Sequence, residues 1–462
     1  MFQPSVYTQR RQKLAQQFTK GLLVFPGNGE VPCNYPANAY PFRQDSSFLY
    51  FFGIDEPGFA GIIDVENGKS ILFGDDRDVS DIVWMGADTP VIEKGNAIGA
   101  DQILPYKMFA ETLKGAHQKK AEIHLLPQYR GELVIMLADL FKTTPTELKK
   151  LYSIPLIKAV TELRSVKEAV EITEIEKALL ISYAMLRSAV SAIKPGVTER
   201  EIAGILHGVA HGTGSGFSFH PICSVRGETL HNHSHGNTMQ AGELLVIDSG
   251  AESLMHYASD ITRTYPVSGT FSGIQKDLYT LVLTSQLAAI EKISPKTSYR
   301  EVHLHAATVI ADGLIRLGLM KGNAVDAVAA GAHALFFPHG LGHMMGLDVH
   351  DMEGLGENYV GYDDSTQRSQ QFGLSYLRLA KSLKPGFVLT VEPGIYFIPE
   401  LIRQWSAEKR CADFINYDKV ESLIGFGGIR IEDDVLVTEK GCRVLGCPIP
   451  KFIDEIEAIM RG

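Results

Sequence analysis

The chain is poor in the features that mark several protein classes. Only five of its 462 residues are cysteine: Cys33, Cys223, Cys411, Cys442 and Cys447. An odd, scattered set with no CxxC excludes a disulfide framework or a cysteine zinc site, and we expect a reduced, cytoplasmic compartment. No apolar run approaches the ~18–20 residues that span a bilayer. The opening MFQPSVYTQRRQKLAQQF lacks the apolar core of a signal peptide. Basic excess is missing too: 44 Lys+Arg against 54 Asp+Glu gives 44 − 54 = −10. That balance makes neither nucleic acid nor an anionic membrane surface an expected partner. What remains is ordinary globular usage, 45% hydrophobic and 21% charged, in a chain long enough for two or three domains.

Residues 1–160 alternate between strand-like and helix-like stretches. FLYFFGI (48–54), AGIIDV (60–65), SILFG (70–74) and AEIHLL (121–126) read as buried strands. DVSDIVWMGAD, YKMFAETLKGAHQKK and ELVIMLADLFK read as helices. This order predicts an α/β domain. A long amphipathic helix begins near Val166, with Ile172, Ile175, Leu179, Leu186, Val190 and Ile193 on one face, and ends at Lys194-Pro195-Gly196. Thr198 and Glu201 have capping-box spacing for the next helix. We place a domain boundary near residue 160, giving domains 1–160 and 161–462.

The second domain repeats itself. AGELLVIDSG (241–250) and PGFVLTVEPG (385–394) share the pattern glycine, five strand residues, acid, one residue, glycine. Each is followed by a second acidic strand, YASDIT (257–262) and GIRIED (428–433). Asp248, Asp260, Glu392 and Glu432 thus fall in apolar strands at matching places. A lone carboxylate there costs several kcal/mol unless it is paired or bound to metal. Four together repel strongly, and cations are the natural remedy.

A glycine-interleaved stretch, PHGLGHMMGLDVHD (338–351), adds His339, His343 and His350. Its glycines argue against a helix. Four carboxylates with an imidazole suit manganese, iron(II), cobalt or zinc rather than copper(I). Two divalent cations would neutralise the four acids, as in a two-metal hydrolase. Other histidines read blandly: His207 and His211 as a helix-surface pair, His303 and His305 as helix residues without chemistry, His233 and His235 as surface. His231, His233 and His235 alternate as on a strand. Asp433 and Asp434 read as solvent-facing or supporting acids.

LLVIDSGAE, YASDITRTYPV, FFPHGLGHMMGLDVHD, VLTVEPGIYF and GGIRIEDDVLVT resemble the five metal-site motifs of the pita-bread metallopeptidases, in particular the aminopeptidase P and prolidase group. YPFRQDSSFLYFFGIDEPG with VWMGAD resembles that group's N-terminal domain. The resemblance covers nearly the whole chain. It implies an α+β protein: an α/β N-terminal domain, then a pita-bread (creatinase/aminopeptidase-like) catalytic domain with a pseudo-two-fold repeat.

It further implies two divalent metal ions per chain, manganese first, with cobalt, zinc or iron as alternatives. Asp248 would bind one ion, Asp260 and Glu432 would bridge, and His343 with Glu392 would complete the second. Glu392 would be the general base. His231 and His350 would hydrogen-bond the substrate or the tetrahedral intermediate. Arg430 would orient Glu432 or bind substrate, and Tyr396 would line the site. Phe219 and His339, with Leu341, would form the proline pocket.

The implied activity is hydrolysis of Xaa-Pro bonds from the N-terminus of peptides, as in aminopeptidase P. Arg378, placed like an arginine that grips the dipeptide carboxylate in some prolidases, keeps Xaa-Pro dipeptidase as the alternative. Phe219, and Asn232 after His231, stand where relatives often have tyrosine, which bears on substrate preference. A non-catalytic binding protein and a metal-free amidinohydrolase like creatinase are more distant alternatives. A homodimer is the expected assembly.

Overall fold

The computed structural model describes residues 1–461. It divides into two compact units, one of residues 1–164 with 354–359, the other of residues 165–353 and the chain from Val360 onward.

The first unit is built on a five-stranded mixed sheet in the order Gln102–Leu104, Lys69–Phe73, Ala60–Asp64, Leu22–Pro26, Ile123–Leu125. The three central strands are antiparallel and each outer strand runs parallel to its neighbour. Val24, Ile62, Phe73, Phe109, Leu113 and Leu137 form its core.

The 48–54 stretch is not a strand but the end of a helix, Ser46–Phe52. Asp45 caps it by accepting the Phe48 N–H at 2.9 Å, and Gly53 closes it at φ 65°. Every residue of the helix is buried, so no polar face marks a period of 3.6. Arg10 and Arg11 donate to its last carbonyls, at 3.1 Å to Tyr50 and 2.7 Å to Phe51, and satisfy acceptors the helix leaves open.

The second unit has two comparable halves. The helix expected from near Val166 is Ala169–Val190, opened by a Glu168–Glu171 capping box. Glu199–Thr213 follows, capped by Thr198 and Glu201 as expected. The other half carries Gly273–Lys292 and Tyr299–Arg316, the latter with the equivalent Ser298–Glu301 box.

Each half adds a three-stranded antiparallel sheet. One is ordered Ile261–Pro266, Leu244–Ser249, Ile222–Ser224; the other Val388–Val391, Asp433–Val437, Cys442–Val444. Leu244–Ser249 and Ile261–Pro266 are buried on both faces, which explains their unbroken apolar character. Val388–Val391 is an edge strand, and the segment around Met344 pairs with it at Leu389. Among the described residues no helix is long and apolar enough to cross a membrane.

Candidate metal centre

Backbone geometry brings the acids together. Asp248 lies inside its strand, opposite Thr262 on one side and Ile222 on the other. Asp260 immediately precedes the next strand. A Cβ at Gly250 would lie 1.7 Å from the Ser259 carbonyl oxygen, so only glycine lets the two acidic segments approach this closely. Glu392 follows Val388–Val391, its N–H donating to the Leu341 carbonyl at 2.8 Å. Glu432 sits in the break between Gly428–Arg430 and Asp433–Val437. Its N–H donates to the Thr262 carbonyl at 3.1 Å, stitching one half to the other.

His343 is delivered by a loop, as its glycines suggested. The Thr390 N–H donates to the His343 carbonyl at 3.0 Å, and the His343 N–H to the Thr390 hydroxyl at 3.2 Å. A Cβ at Gly342 would lie 2.1 Å from the Thr390 carbonyl oxygen. His343 Nδ1 faces the Met344 carbonyl at 3.1 Å. A carbonyl only accepts, so Nδ1 carries the proton and Nε2 keeps its lone pair. That Nε2 lies 3.4 Å from Asp260 and 3.7 Å from Glu392.

Asp260, His343 and Glu432 each offer a ligand atom within 4.8 Å of the others, and all three are buried. Asp248 Oδ1, Asp260 Oδ1 and Glu432 Oε1 are buried without a hydrogen-bond partner. Unsatisfied buried carboxylate oxygens are costly, and these three converge on one cavity. Burial first, then the neighbouring acids, pushes the Asp260 and Glu432 carboxyls well above their usual range. Burial, with Asp248 beside it, pushes Glu392 up too. A donor set of this kind, rich in carboxylate oxygen, fits hard divalent cations.

The cavity is about 470 Å³, within the range of small-ligand sites. Phe219, His231, Asp248, Asp260, His339 and His343 line it, as do His350, Arg378, Glu392, Arg430 and Glu432. Tyr396 lies behind this wall, fully buried. Arg430 Nη2 donates to Asp248 at 2.6 Å and Nη1 to the Tyr396 hydroxyl at 2.8 Å, so this guanidinium holds Asp248 rather than Glu432. Tyr396 in turn meets His339 Nε2 at 2.9 Å, and His339 Nδ1 meets the Gly340 carbonyl at 2.8 Å. The second contact fixes the proton on Nδ1, so the tyrosine donates to Nε2. Burial holds His339 down to about 3, hence neutral. Thr262 donates to Glu432 at 2.7 Å.

One reading changes and two are narrowed. His231, His233 and His235 lie in a turn and irregular chain, not a strand; His231 and His233 stand exposed at the cavity wall, beside His220. Asp433 and Asp434 are buried, so of their two readings the supporting one stands. Asp433 pairs with Arg263 and Lys451, each at 2.6 Å, and Asp434 accepts the Asp260 N–H at 3.1 Å. His303 is indeed on a helix, but it and His333 are fully buried with no partner on any ring nitrogen. Sequence reasoning also passed over Glu353, which bonds His350 and Arg378; a single acid after the histidine motif carries no periodic signal.

Residues 173–439 match the family model described as metallopeptidase family M24, and residues 7–125 that described as the aminopeptidase P N-terminal domain. The chain belongs to metallopeptidase family M24. Its fold is the two-domain aminopeptidase P arrangement, with a C-terminal pita-bread domain, and membership in this family implies divalent metal ions. Among M24 relatives it is 31% identical to a human Xaa-Pro dipeptidase, over 99% of this chain and 94% of that one. It is 30% identical to a probable Xaa-Pro aminopeptidase of Metarhizium acridum, over 96% and 90%. A zinc-substituted Escherichia coli aminopeptidase P in complex with product superposes with a TM-score of 0.80 at 28% identity, covering 100% of this chain and 98% of that one.

Proposed function

We propose that this M24 peptidase is a dinuclear metal-dependent exopeptidase of the aminopeptidase P type, releasing the first residue from peptides with proline in second position. The catalytic domain is residues 161–462, after an N-terminal domain of residues 1–160. The observation that carries the reading is the convergence of Asp248, Asp260, His343, Glu392 and Glu432, with three orphaned carboxylate oxygens, on one cavity. These five side chains would hold two divalent ions. When bound, such ions polarise the scissile carbonyl and lower the pKa of water.

The chain's own groups do the rest. Glu392, more accessible than Asp248, Asp260 and Glu432, takes the proton of the attacking water and passes it to the departing proline nitrogen. His231 and His350 stand at the cavity wall as donors to the carbonyl oxygen as charge develops there. Arg430 orients Asp248. Phe219 and neutral His339 flank the proline ring, whose nitrogen has no N–H to offer.

Manganese is the favoured metal because the donor set is mostly oxygen. Five free cysteines fit a cytoplasmic location. A homodimer is supported by the helix Val79–Met85, where Trp84 is 84% exposed and Val83 73%.

Xaa-Pro dipeptidase is the second reading. Arg378 on the cavity wall and the human relative favour it. Turnover of Gly-Pro against Ala-Pro-Ala by manganese-loaded protein separates them; cleavage of the dipeptide alone sinks the aminopeptidase reading. Absence of bound transition metal, with no activity after manganese is added, sinks both.

A further inference from the structure

Glu353 ends a tightly held segment. Lys167 and Asp351 form a buried ion pair at 2.8 Å, and the Asp351 N–H donates to the Met344 carbonyl at 2.9 Å. Met352 then turns the backbone to φ 63°, although it is not glycine and is buried. Such a conformation persists only where the surroundings enforce it. The turn presents Glu353 to two cavity residues at once. Its Oε2 accepts from His350 Nδ1 at 2.6 Å, and its Oε1 pairs with Arg378 Nη1. The hydrogen bond from His350, with the charge of Arg378, holds the Glu353 carboxyl down to about 2. The acid is therefore ionised at neutral pH.

Arg378 and His350 line the cavity, and Glu353, half-buried and outside that lining, contacts both. A guanidinium facing a peptide site is a natural dock for a free C-terminal carboxylate, because its planar fork matches two oxygens. Here one donor of that fork already serves an internal carboxylate, and the pair carries no net charge. A substrate carboxylate meets weakened attraction and a like charge already paired to the same guanidinium. A substrate whose proline carbonyl continues into an amide brings no charge and loses nothing.

We propose that Glu353 is a built-in competitor for Arg378 that sets length selectivity, turning the site away from Xaa-Pro dipeptides and toward longer peptides. The proposal rests on the Xaa-Pro peptidase reading and deepens it. Glu353 acts through Arg378 and His350, so it is a positioning residue. Specificity here comes from a repulsive element rather than from an added contact.

The test compares two substrates of equal length that differ only in the terminal charge: Ala-Pro and its carboxamide. The metal-loaded wild type is expected to favour the carboxamide. Glu353→Gln keeps an acceptor for His350 but removes the charge, and should raise kcat/KM for the acid relative to the amide by about tenfold, mainly through KM. Arg378→Met leaves Glu353 without that cation and should move the ratio the other way. An acid-to-amide ratio that stays within about twofold in both variants overturns the proposal.

Calorimetry with the uncleavable methylene analogue of Ala-Pro, as acid and as amide, reads the same ratio without turnover. If the metal-loaded wild type hydrolyses neither peptide, the peptidase reading falls. The calorimetric ratio still decides the role of Glu353: a shift of about tenfold in Glu353→Gln supports it, and no shift overturns it.

Discussion

Arg430 and Asp248 come from opposite halves of the second unit and meet at 2.6 Å, with only 5% and 12% of their side chains exposed. The guanidinium fixes one oxygen of Asp248 and leaves Oδ1 unpartnered. Arg430→Met should therefore release Asp248 and lower metal affinity or kcat/KM roughly 10–100-fold, the usual effect of removing a group that orients a metal ligand. Metal content after dialysis at fixed free manganese, together with turnover, checks this. Full occupancy and unchanged turnover would refute it.

Asp260 gives a prediction of opposite sign in the two metal states. Burial and the acids around it disfavour its charge in the metal-free chain. Asp260→Asn should then melt higher than wild type in chelator at pH 8. With metal the order reverses. Wild type gains about 2.7 kcal/mol at metal a hundredfold above its Kd, while the variant gains far less. Thermal melts with EDTA and with manganese read both arms.

His333 predicts a pH dependence away from the metal centre. Burial holds its folded pKa down to about 4, against an ordinary 6.5, and His303 faces it at a ring-centroid distance of 6.2 Å. Between those values the unfolded chain binds more protons than the folded one. Stability from this group is thus complete above pH ~6.5 and is lost as the pH falls toward 4, by about 3 kcal/mol in all. His333→Leu should flatten this slope and narrow the gap between pH 7.5 and pH 5. Urea unfolding at the two values measures it; an unchanged gap argues against the assignment.

The exposed helix Val79–Met85 predicts assembly. Trp84→Glu should convert the proposed dimer to monomer, or weaken it at least tenfold, without changing the far-UV circular dichroism. Light scattering across a concentration series decides. A wild-type chain that is monomeric throughout would remove the premise.

Much of the site was legible because its chemistry conflicts with its setting. Asp248 stands out as a carboxylate inside an apolar strand, and Asp260, Glu392 and Glu432 as carboxylates at the ends of buried strands, and that conflict is visible in the sequence. Supporting contacts were less visible. Asp434 lies two residues after Glu432 in the chain yet serves Asp260, a link 174 residues long. Glu353 has partners at His350 and Arg378 that only a turn at Met352 reveals. The helix Ser46–Phe52 was misread for a related reason: burial on every side erases the pattern that separates helix from strand.

The bonds from Glu432 to Thr262 and from Asp260 to Asp434 also constrain how the molecule matures. Contacts of such long sequence separation close large loops and carry an entropic cost that local pairing does not. While the ribosome is still extending the chain, the Asp248 and Asp260 segments are made before their counterparts. Ion capture must wait for the C-terminal strands to arrive, so no truncated nascent fragment should be able to hydrolyse a peptide.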